Sequence, residues 1–191
     1  MLNRLMLLVS LFVVPTMEAQ AEQVASPDGF TVSNELTLSG PYKVHEQDSE
    51  LSQHPQKQVK DKDDLTTAGG NWWNDSGPGP AVKDGRTWYC SPPMYGYTPS
   101  GSVMQTLSYT WNDDNLNGWD SLTQVELRIY GGGYVWRANV TAQPSGTLNA
   151  SGQNIPASSD VRICMGVDTF QVSLYNPPYI NYISSNVYYT Y

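Results

Sequence analysis

Four runs between residues 103 and 175 alternate side chains with a period of two, and the chain after the leader shows no convincing run at helical spacing. In a first run Val103, Leu107, Tyr109 and Trp111 fall on one face, with Met104, Thr106, Ser108 and Thr110 on the other. Val125, Leu127 and Ile129 alternate with Glu126, Arg128 and Tyr130. Tyr134, Trp136, Ala138 and Val140 alternate with Val135, Arg137, Asn139 and Thr141, and Phe170, Val172 and Leu174 with Gln171, Ser173 and Tyr175. Gly131, Gly132 and Gly133 join the second and third runs, and glycine supplies the positive φ that a tight hairpin needs. Thr87–Cys90, Val161–Met165 and Asn186–Tyr191 are further strand candidates. The expected fold is all-β: an antiparallel β-sandwich or jelly roll of about seven short strands.

The organisation is uneven. Residues 1–21 read as a secretory signal peptide: Arg4, an apolar run from Leu5 to Val14, and a small-x-small site at Ala19, Gln20 and Ala21. That run is too short to span a membrane, and no other stretch is apolar enough, so no transmembrane segment is expected. From Glu22 to Gly70 there are nine acidic residues and four lysines, with a single Tyr, a single Phe and no Trp. Such composition cannot offset chain entropy by burial, so 22–70 is expected to be a polar, acidic, mostly disordered arm. Phe30–Val32 and Leu36–Leu38 are the short alternating pieces in it that suit an added edge strand. Residues 71–191 carry all six Trp and twelve of the thirteen Tyr, and form the expected aromatic-rich domain. Cys90 and Cys164 both lie there, and in an oxidising compartment the pair is expected to form one disulfide, as a bridge between sheets. The expected location is extracellular or periplasmic.

The net charge of −8 gives no basic footprint, so nucleic acid is not an expected partner. His45 and His54 both lie in the arm, which leaves the domain without a histidine for a catalytic triad or a zinc site. Glu126 is the domain's only Glu. It either belongs to a hydrolytic carboxylate pair or pairs with Arg137 or Arg128 on a solvated face; the second is the plainer reading.

Two patterns point to binding. Asp113, Asn115, Asn117 and Gly118 match the first half of an EF-hand-type calcium loop. Position twelve is Gln124 rather than Glu and the flanks are strand-like, so Asp120 or Asp114 would have to complete the ligands. Asp113, Asn115, Asn117 and Asp120 are the metal candidates, with Ca2+ as the ion. The second pattern is the aromatic excess. Trp72, Trp73, Trp88, Tyr95, Tyr97 and Trp119 are the candidate ligand-binding residues, since Tyr and Trp rings suit stacking on sugars or protein partners.

The expectation is a secreted, non-enzymatic module that binds a glycan or cell-surface polymer. The alternative is a structural subunit of an extracellular appendage, matrix or surface assembly, self-associating through an open edge such as Val187–Tyr191. A membrane-active protein and an Asp/Glu hydrolase rank behind these, with no positive motif.

Overall fold

The computed structural model describes residues 36–44, 70–112 and 114–191. The leader, the rest of the arm and Asp113 lie outside these residues, and so do the expectations that fall on them. Nine strands and no helix occur among the described residues. In chain order they are β1 Ser39–Lys43, β2 Gly70–Gly77, β3 Tyr89–Cys90, β4 Val103–Trp111, β5 Thr123–Gly131, β6 Tyr134–Asn139, β7 Ser145–Asn149, β8 Asp160–Val167 and β9 Ile183–Thr190.

They form two antiparallel sheets, a sandwich as the alternation requires. The five-stranded sheet runs β1-β6-β5-β8-β3 and the four-stranded sheet β2-β9-β4-β7. The hairpin between β5 and β6 turns on Gly132 and Gly133, both at positive φ (60° and 81°). This is the two-residue turn whose twist matches the strands it joins. Leu107, Tyr109 and Trp111 of β4, Ile183 and Val187 of β9, Leu127 and Ile129 of β5, and Ile163 and Met165 of β8 belong to one buried core.

Several expectations change. Met104 faces the core, fully buried, not the polar side. A bulge causes this: Met104 pairs with Tyr189 but Thr106 with Tyr188, so Gln105 is the extra residue and the alternation slips. Residues 170–175 are not a strand despite their pattern. Their backbone bonds a neighbouring loop, through Gly85 N to Gln171 O and Leu174 N to Lys83 O, and the Trp119 indole, through Tyr175 O, rather than a strand. Phe170 and Val172 therefore stand exposed, and only Leu174 is buried. Val187–Thr190 belongs to β9, which pairs with both β2 and β4, so it is an interior strand and not an open edge. Cys90 and Cys164 form the disulfide, but between directly opposed residues of the neighbouring strands β3 and β8, within one sheet. Finally, β1 pairs with β6 as an edge strand, and Leu36 and Leu38 pack on the core, so this stretch before residue 70 is part of the sandwich.

Candidate functional site

The outer face of the four-stranded sheet is set by the strand registers. Side chains that point away from the core lie in three cross-strand rows. One is Ser76, Ser184, Thr110 and Ser145; the next is Asn74, Asn186, Ser108 and Thr147; the third is Trp72, Tyr188, Thr106 and Asn149. Ten of these twelve are Ser, Thr or Asn, two are aromatic, and none is charged. None is buried. With strands about 4.8 Å apart and rows about 7 Å apart, the array spans roughly 14 Å each way.

Trp72 anchors one corner. It is 55% exposed and its ring lies 4.8 Å from that of Tyr188, tilted by 42°. Trp73, next in β2, points the other way: it is a core residue, and its Nε1 donates to Ala157 O at 2.8 Å. Opposite orientation of adjacent strand residues thus divides the Trp72-Trp73 pair into one binding candidate and one packing residue. Tyr95 and Tyr97 are partly exposed and meet edge-on, with ring centroids 6.2 Å apart. Their loop follows β2 closely, because Gly96 presses on the Trp73 ring where a Cβ would collide. Tyr95 N also donates to Asp75 Oδ2 at 3.2 Å.

The other aromatic candidates are placed elsewhere. Trp88 is half-buried with the Arg128 guanidinium 4.8 Å from its ring, on the outer side of the five-stranded sheet. Trp119 packs against the core, and its Nε1 donates to the carbonyls of Tyr175 and Asn176.

In the loop after β4, Asn117 and Gly118 both take positive φ, and Asn117 Nδ2 donates to Pro177 O at 2.9 Å. Asn115 O accepts from Tyr179 N. Asp120 is exposed. Among the described residues, no three His, Cys, Asp or Glu side chains cluster as metal ligands would.

Glu126 pairs with Arg128, its Oε2 2.8 Å from Nε, rather than with Arg137. The pair is not on a solvated face: the two side chains are only 14% and 6% exposed. Burial works against the Arg128 charge, but Glu126 and Tyr130 outweigh it and hold the guanidinium above its ordinary pKa. At Arg162 burial prevails over nearby Asp160, and the pKa falls. Near β3, Thr87 and Tyr89 hydrogen-bond the Asp84 carboxylate and lower its pKa, with Tyr89 Oη donating at 2.8 Å.

No protein-family model matches the chain, and no curated protein matches it. The fold is similar to that in the crystal structure of FLHE, with a TM-score of 0.52 and 21% identity over 65% of this chain and the whole of that one. That likeness concerns the fold alone.

Proposed function

We propose that this chain is an exported, non-catalytic binding module that takes an uncharged polymer, a neutral glycan, on the outer face of the four-stranded sheet. The observation that carries this reading is the array itself: ten hydroxyl or amide side chains and the Trp72–Tyr188 pair, of which Trp72 is exposed, without a charge. Hydroxyls and amides donate and accept hydrogen bonds, as sugar hydroxyls do. The Trp72 ring supplies the apolar face on which a sugar ring stacks. A face with no charge has nothing to select an ionic ligand. The disulfide supports export to an oxidising compartment.

The test is depletion of the purified protein by insoluble cellulose and chitin at low and high salt. Binding that saturates, ignores salt and falls in Trp72→Ala supports the reading. No retention on either polymer overturns it for these two glycans, and soluble neutral glycans then decide the rest. Calcium at Asp113, Asn115, Asn117 and Asp120 is a separate proposal. It requires a calcium-dependent rise in Tm that Asp120→Asn abolishes.

One observation favours the assembly reading as a second choice. Among the described residues β7 is an uncharged edge strand paired on one side only, with β4. Such an edge invites a strand from another chain. Sedimentation that stays monomeric at high concentration removes self-assembly.

A further inference from the structure

The opposite face of the sandwich carries charge where the proposed binding face carries none. Arg128 in β5 stands directly across from Arg137 in β6 on one side and Arg162 in β8 on the other. Directly opposed positions in antiparallel strands bring Cβ atoms to about 5 Å, and like charges there repel. Two carboxylates balance part of this row. Glu126 pairs with Arg128 at 2.8 Å and Asp160 with Arg162 at 3.8 Å. Among the described residues no carboxylate forms an ion pair with Arg137.

Arg137 is half-buried. Its Nε is buried and has no hydrogen-bond partner, and the ring of Tyr42 lies 6.0 Å from the guanidinium, at the outer limit of a cation–π contact. A guanidinium that has lost water on one side and gained no counter-charge attracts an anion more strongly than a solvated one. A guanidinium is a planar fork able to grip an oxyanion with two parallel hydrogen bonds.

We propose that Arg137, with Tyr42 beside it and Arg128 behind it, forms an oxyanion-binding site on the outer face of the five-stranded sheet. Its ligand is a carboxylate or phosphate group that supplies the third negative charge of the row. The site is independent of the glycan reading, since its residues lie on the other sheet.

The probes are inorganic phosphate and acetate, each titrated into isotopically labelled protein at low ionic strength. The readouts are the Arg128 Nε–H resonance and the β6 amides. The expected result is a saturable shift with either anion, weakened at least fivefold in Arg137→Gln and unchanged in Arg86→Gln, an exposed arginine elsewhere. Tighter binding of phosphate points to a phosphorylated ligand, and tighter binding of acetate to an acidic chain or sugar acid. Should Arg137→Gln fail to fold, Arg137→Lys keeps the charge without the fork, and at least threefold weakening is expected. Shifts that never saturate, or that match wild type in the folded Arg137 variant, overturn the proposal.

Discussion

Replacing Trp72 by Ala is the sharpest perturbation of the proposed binding face. A tryptophan side chain offers on the order of 200 Å² of surface. With 55% of it exposed, about 110 Å² is open to a ligand. A sugar ring laid on one side covers about half of that. At ~25 cal/mol per Å², covering ~55 Å² contributes roughly 1.4 kcal/mol. The expected loss is therefore about tenfold in affinity. The covered part of the ring, which meets Tyr188, sets a separate cost. About 90 Å² there gives at most ~2 kcal/mol of stability, since the chain already buries some of it before folding. The two effects separate experimentally. Urea unfolding measures the second, and glycan isotherms well below the unfolding midpoint measure the first. Trp72→Phe keeps a stacking ring and is expected to lose less than threefold. If Trp72→Ala stays folded and binds within twofold of wild type, Trp72 is not the platform and the stacking argument fails.

Trp73→Ala, one residue along, is expected to cost about 3–5 kcal/mol in urea unfolding, because it empties a core site and orphans the Ala157 carbonyl. Glu126→Gln leaves Arg128 buried without its carboxylate, so it is expected to lose roughly 1–3 kcal/mol of stability while glycan isotherms stay unchanged. A hydrolase built on Glu126 would instead show turnover that the folded variant lacks. Burial pushes the Tyr109 hydroxyl up to about 12 from its ordinary 10.0. The unfolded chain then releases that proton first, so stability falls as pH rises from about 10 to 12, and Tyr109→Phe flattens this limb in urea titrations. Replacing both Cys90 and Cys164 by Ala is expected to cost about 2–4 kcal/mol. Hydrogen exchange should rise first along residues 89–94, which are held against β8 by the disulfide and by backbone bonds such as Met94 N to Val161 O.

The alternation was enough to read an all-β sandwich and to place β4, β5 and β6, while the candidates Thr87–Cys90, Val161–Met165 and Asn186–Tyr191 fall on β3, β8 and β9. It failed where the second partner of a strand decides the outcome. Residues 170–175 have the pattern but no strand to pair with, so they form a loop. β2 and β7 hold many Asn, Ser and Gly and are not among the strand candidates, yet β9 and β4 draw them into a sheet. Leu36–Leu38 marks a piece suited to an added edge strand, and the edge strand begins just after it, at Ser39–Lys43, where Pro41 is tolerated because the strand is an edge. The disulfide was legible as a pairing, since the cysteines are two. Its position within one sheet was not, because that depends on the register of β3 against β8.

The candidate site shows the same division more finely. Composition flags the Trp72-Trp73 pair, but nothing local says which ring faces out; the core on the far side of β2 settles that. The uncharged array needs four strands in register. One of the contacts it depends on passes the bulge at Gln105, which no sequence signal marks. The arginine row was partly within reach. A two-residue turn at Gly132 and Gly133 puts Gly131 opposite Tyr134, and counting back along both strands puts Arg128 opposite Arg137. That register puts Glu126 opposite Asn139 and diagonal to Arg137, and two residues from Arg128 on the same face, which is the arginine it pairs with. Only Arg162 stays hidden, since no short turn ties β8 to β5. A hairpin with a defined turn therefore carries site information at sequence level, and the charge left over on Arg137 follows from it once β8 is placed.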